Sequence, residues 1–180
     1  MSDDGTVLVA GWTLVNTAGE KFKLGDAPNN IIRAVLAPDA SYVVYQPSAD
    51  PSPLRIRDRS GADSLLVGQG SFPSISADSK RIMYLAPVNG ELQALLAERG
   101  SAGVQVTFEP DGITEATMSG TSGLVVAVTG AGQLITVDVR NGFRSEYIGR
   151  TPKLAPPPLN SFGESQPYYR SQGIGSAYAI

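Results

Sequence analysis

The sequence predicts an all-β fold, a β-propeller of four four-stranded antiparallel blades per chain closed by the C-terminal strand. Three observations predict it. An apolar strand, an acidic turn and a second apolar strand recur along the chain. Two independent landmarks repeat with a period near forty, which is about the length of a four-stranded blade. Strand patterning also outweighs helical propensity wherever the two compete.

The clearest copy runs from Phe72 to Tyr84, with Ala77-Asp78-Ser79 as its turn. An earlier copy runs from Ala34 to Tyr45 around Pro38-Asp39-Ala40, and a degraded one from Ala116 to Ala127. The acidic turn falls at Asp4, Asp39 and Asp78, then at Thr121, with spacings of 35, 39 and 43. The glycine of a later turn falls at Gly19, Gly61, Gly100 and Gly142, with spacings of 42, 39 and 42.

Each unit divides into strands. The second strand is a continuous apolar run, as in Tyr42-Val43-Val44-Tyr45, and such runs suit burial on both faces. The third strand alternates: Leu54 and Ile56 are expected to face a neighbouring sheet, Arg55 and Arg57 to face water. The turn after it is Ser60-Gly61, Arg99-Gly100 or Asn141-Gly142, and a short outer strand follows. The segment from Glu91 to Glu98 has helical propensity but occupies a third-strand position, so it reads as strand.

The blades are expected at about 1–26 plus 174–180, 27–69, 70–110 and 111–150. The first lacks an opening strand, and residues 176–180 match that missing position. The last strand of the chain is therefore expected to complete the first blade and remove an open edge. Residues 151–173 form a proline-rich loop; five prolines between 151 and 170 forbid a central strand there.

Composition narrows function by exclusion. Hydrophobic residues make up 42%, enough for a folded core. The net charge of −3 supplies no basic field for nucleic acid or an anionic membrane. The longest apolar runs are too short for a spanning helix. There is no cysteine and no histidine, which excludes thiolate sites, the usual nucleophile–histidine machinery and most zinc sites. No cofactor and no metal site is expected. The first five residues do not form a signal peptide, so the compartment stays open; it is periplasmic or secreted if the natural precursor carries one.

The pattern of apolar strand, Pro/Ala-Asp-x turn, apolar strand and x-Gly turn resembles the TolB-like, WD-repeat-like propeller repeat. Pro38-Asp39-Ala40 and Ala77-Asp78-Ser79 stand where that family usually has Pro-Asp-Gly, and Asp4-Gly5 keeps the glycine. The Trp-Asp and Gly-His marks of true WD repeats are absent. The resemblance covers about residues 2–149 plus the final strand. It implies a blade and leaves function open among binding modules, assembly scaffolds and domains attached to peptidases. Family rings usually hold six to eight blades. The chain is thus a small closed ring, half of an eight-bladed homodimer, or part of a larger protein; the expectation leans to the homodimer.

Asp4, Asp39 and Asp78 are expected to cap their own turns by accepting backbone N–H groups. Asp58, Arg59 and Asp63 surround one hairpin and read as surface ion pairs. Trp12 reads as packing between blades. Two groups are ligand candidates. Glu109, Asp111 and Glu115 form the densest acidic group and flank an inter-blade link on a rim. Tyr168, Tyr169 and Arg170 combine aromatics with a guanidinium, suited either to recognition or to pinning the long loop. The expected function is a non-catalytic binding or scaffold module for a protein or carbohydrate ligand. The alternative is a polysaccharide hydrolase or lyase using rim or channel carboxylates.

Overall fold

The computed structural model describes residues 1–9, 12–24, 31–47, 52–119, 123–140 and 144–150. The expected proline-rich loop, the closing strand, Tyr168, Tyr169, Arg170, Thr121 and Asn141-Gly142 lie outside them. Strands β1 (Val7–Val9), β2 (Thr13–Val15) and β3 (Lys21–Lys23) form a three-stranded meander. Strands β4 (Arg33–Leu36), β5 (Tyr42–Gln46), β6 (Ser52–Asp58), β7 (Asp63–Ile75), β8 (Arg81–Val88), β9 (Glu91–Glu98) and β10 (Val104–Gln105) follow in one hydrogen-bonded ladder. Strands β11 (Ile113–Met118), β12 (Leu124–Thr129), β13 (Gln133–Asp138) and β14 (Arg144–Arg150) form a final sheet. Pairing is antiparallel between strands consecutive in sequence. No helix occurs among the described residues. The segment with helical propensity is β9, paired along its whole length with β8.

The seven-stranded ladder is two sheets joined through β7. Residues 63–70 of β7 pair with β6, and residues 71–75 pair with β8. Between them the register shifts from Ser71 to Ser74, and Phe72 takes φ +50°. Pro73 sits in this bulge, where a missing N–H is tolerated. The Arg33 guanidinium lies 4.0 Å from the Phe72 ring centre and covers the bend. The described residues thus stack four antiparallel sheets, consistent with a β-propeller.

Alternation along the middle strands builds the core. Val43 and Tyr45 of β5 pack back onto Trp12 and Leu14 of the first sheet. Tyr42 and Val44 pack forward onto Ile82 and Tyr84 of β8. Met83 and Leu85 of β8 then pack forward onto Val125 and Ala127 of β12. All five residues of β5 are buried, because both its faces meet a neighbour. β1 and β12 are only partly buried, because each belongs to a terminal sheet of the stack. Leu54 and Ile56 point inward as expected.

The acidic turns lie at one end of the stack. Asp4 accepts from Thr6 N–H at 2.9 Å, Asp39 from Ser41 N–H at 2.9 Å and Asp78 from Lys80 N–H at 3.2 Å. The residue after the aspartate is left-handed in all three, at Gly5 (φ +79°), Ala40 (φ +56°) and Ser79 (φ +59°). The family glycine is missing from two copies, but its conformation is kept. Neighbouring turns are also tied together. Asp3 N–H donates to Pro38 O at 2.7 Å, Asp39 N–H to Ser79 Oγ at 3.1 Å, and Tyr42 O–H to Ser79 O at 2.9 Å.

The turns make stability acid-sensitive. Hydrogen bonds from Ser2 and Thr6 lower Asp4 from 3.8 to about 2. Burial raises Asp39, but bonds from Ser41 outweigh it and leave the group below its ordinary value; Ser76 and Lys80 lower Asp78. A lowered folded-state pKa favours the charged form, so this stability is present above the unfolded value and is lost on acidification through the folded one. Melting temperature should hold level down to about pH 4 and fall between there and about pH 2.

Burial and turn chemistry should separate cleanly on mutation. Val43→Asp and Ile82→Asp place an unpaired charge at wholly buried positions and should abolish cooperative unfolding, since the cost is several kcal/mol. Asp78→Ala should cost about 1 kcal/mol in a denaturant titration.

Candidate functional site

The end of the stack opposite the acidic turns carries an open cleft of about 330 Å³. Antiparallel geometry puts it there. β8 leaves the Ala77–Ser79 turn and reverses at Asn89-Gly90, whose φ values of +53° and +93° suit a two-residue hairpin. β10 then runs antiparallel to β9, which brings residues 106–109 back beside 93–94. The cleft lies between the hairpin and this returning segment. Its lining includes Asn89, Glu91, Gln93, Gln105, Phe108 and Glu109.

Gln93 holds the two walls together. Its Oε1 accepts from Thr107 Oγ1 at 2.9 Å and from Glu109 N–H at 3.2 Å, and its Nε2 donates to Glu109 O at 2.6 Å. Thr107 Oγ1 in turn accepts from Ala94 N–H at 2.8 Å. Gln93 and Thr107 are buried, so these bonds form in a low-dielectric setting where they are strong and costly to leave unmade. Below the cleft, Gly112 (φ +68°) crosses the hairpin closely. A methyl group on it would sit 3.0 Å from Glu91 Oε2 and 3.1 Å from Leu92 O. Its carbonyl accepts from Gly130 N–H at 2.9 Å, which pins the link to the fourth sheet.

On this frame two carboxylates, Glu91 and Glu109, and two amides, Gln93 and Gln105, face one space with Phe108. Phe108 is 67% exposed and presents its ring to the cleft. Of the expected acidic trio, only Glu109 lines the cleft. Asp111 is exposed on the turn leading into β11. Glu115 lies opposite Val128, on the far face of the fourth sheet. Sequence reading missed Glu91, Gln93 and Phe108; the Asn89-Gly90 pair was the available signal, because it fixes a hairpin tip at Glu91.

The other charged cluster is structural. Asp63 takes Arg55 Nε at 2.7 Å, a guanidinium N–H of Arg57 at 2.6 Å and the Tyr45 hydroxyl. Burial pushes its carboxyl up, but bonds from Tyr45, Arg57 and Arg55 outweigh this and leave it below the ordinary range. The Arg57 guanidinium also lies 5.1 Å from the Trp12 ring centre, and Trp12 meets Tyr45 edge to face at 4.7 Å. Trp12 is therefore packing between sheets, as expected. Arg57 is only 13% exposed and does not face water as its alternation implied, because the neighbouring sheet covers it. The expected hairpin ion pairs are rearranged: Asp58 pairs with Arg99 at 3.1 Å, and Arg59 stacks over Phe22. Among the described residues, no group of three or more acidic side chains is placed to hold a metal ion.

No protein-family model matches the sequence, and no curated protein matches it. Solved structures do match the fold. TolB from Acinetobacter baumannii superposes with a TM-score of 0.57 at 18% identity, over 75% of this chain and 36% of that one. A TolB candidate from Agrobacterium tumefaciens gives 0.60 at 16% identity, over 82% of this chain and 56% of that one. The chain adopts the TolB-like β-propeller fold. An oligogalacturonate lyase in complex with manganese shares the fold with a TM-score of 0.64, at 13% identity, over 77% of this chain and 41% of that one. The TolB-like chain thus spans less than two thirds of each of these structures.

The cleft depends on Gln93. Gln93→Ala in this TolB-like sheet removes three hydrogen bonds and strands buried partners, which should lower stability by about 2 to 3 kcal/mol in urea titration. Gln105→Ala, on the half-buried wall with one bond to Thr107 O, should cost about 1 kcal/mol or less.

Proposed function

We propose that this chain is a non-catalytic binding or scaffold module whose recognition surface is the hairpin-end cleft. The observation that carries this is the exposed Phe108 ring beside Glu91 and Glu109 on a frame locked by Gln93. An aromatic face and two carboxylates suit an arginine or lysine side chain of a protein partner. The ring attracts the cation through its quadrupole, and the carboxylates form charge-assisted hydrogen bonds. Turns at one end fix the sheets and leave loops at the other free to carry recognition, a common division of labour. Tyr168, Tyr169 and Arg170, outside the described residues, stay ligand candidates on their residue types alone.

The similarity to an oligogalacturonate lyase and the presence of two carboxylates in one cleft favour one second reading: a polysaccharide hydrolase or lyase in which Glu91 and Glu109 act as acid and base.

Calorimetric titration with an arginine-rich octapeptide separates the two. Binding is expected, weakened about tenfold by Phe108→Ala or by the pair Glu91→Gln and Glu109→Gln. Peptide binding that those variants leave unchanged overturns the binding site. Release of unsaturated or reducing ends from polygalacturonate, lost in Glu91→Gln, would establish the enzymatic reading instead.

A further inference from the structure

The two terminal sheets of the stack each turn one face away from their neighbour. In the first sheet, Leu8 and Leu14 join the core shared with the second, so Val7, Val9 and Val15 point the other way. Register places Lys21 opposite Val15 and Lys23 opposite Thr13, so both lysines share that outward face. Val9 is 41% exposed and both lysines are exposed. In the fourth sheet, Val125, Ala127, Ile135 and Val137 meet the third, so the half-buried Val126 and Leu134 lie on the other face, with Val128 buried between them at 9% exposure. Glu115 lies opposite Val128 and Glu146 opposite Thr136 on the same outward face.

These faces complement each other. Each has an aliphatic centre, and other sheets of this chain bury aliphatic side chains against one another. The lysines lie on β3 and Glu146 on β14, the outermost strands of their sheets; register also places the Asp138–Arg144 pair on the outward face, which with Glu115 and Glu146 leaves it net acidic. Stacking one sheet on the other brings outer strand against outer strand and base against acid. The chain also covers only 36% and 56% of the TolB-like propellers it superposes on.

We propose that the outward face of the fourth sheet packs on the outward face of the first sheet of a second copy. A rotation of 180° repeats the contact, so two chains close one eight-sheet ring with both junctions identical. The apolar centres supply the attraction, and Lys21, Lys23 and Glu146 set which faces meet.

Light scattering over a range of concentrations tests it. The parent should weigh twice the 18.8 kDa of one chain and dissociate on dilution. The double variant Lys21→Glu, Lys23→Glu should be monomeric, and so should Glu146→Lys, with unchanged circular dichroism. Mixing the two variants should restore the dimer, because every junction then again pairs acid with base. A parent that stays at 18.8 kDa at every concentration overturns the proposal, whether the faces meet within one chain or are covered by further polypeptide. Charge-reversed variants that dimerise as the parent does, or a mixture that stays monomeric, overturn it equally.

Discussion

The structure depends on one constraint: a middle strand stacked between two sheets must be apolar on both faces. Side chains of a strand alternate, so consecutive residues serve different neighbours. Val43 and Tyr45 belong to one inter-sheet core, and Tyr42 and Val44 to the next. Each core is thus built from the back of one strand and the front of another. A sheet in this arrangement buries its faces only against its neighbours.

Polar groups then fix how the layers sit. At one end, each acidic turn satisfies its own backbone, and the first two donate to the next turn, through Asp3 to Pro38 and Asp39 to Ser79. At the other, Gln93 joins β9 to the returning segment by three hydrogen bonds. Between the first two sheets, Tyr45 and two arginines donate to Asp63 and hold its carboxyl below the ordinary range despite its burial. Buried polarity here is networked, which is the condition under which it adds rigidity rather than strain.

The candidate site was half legible in the sequence. Glu109 stands out because it belongs to an acidic link. Glu91 lies 18 residues earlier in a segment with helical propensity, and only the antiparallel return of the chain brings the two to one cleft. Conversely, Asp111 and Glu115 are close to Glu109 in sequence but leave the cleft. Asp111 stays on an exposed turn, and the register shift between Ile113 and Glu115 puts Glu115 on the face opposite the core-facing Ile113.

The sequence by itself determined the all-β class, the forty-residue period, the apolar middle strands and the aspartate-capped turns. These are local properties: alternation, run length and the hydrogen bond of a side chain to its own backbone. Tertiary structure alone decided that β7 runs unbroken through two sheets, that Ala40 and Ser79 adopt a left-handed conformation without glycine, and that Arg57 is covered rather than solvated. Each of these depends on what packs against the residue from another sheet. The energy of a covered guanidinium or a strained turn is set by that neighbour, which lies dozens of residues away along the chain.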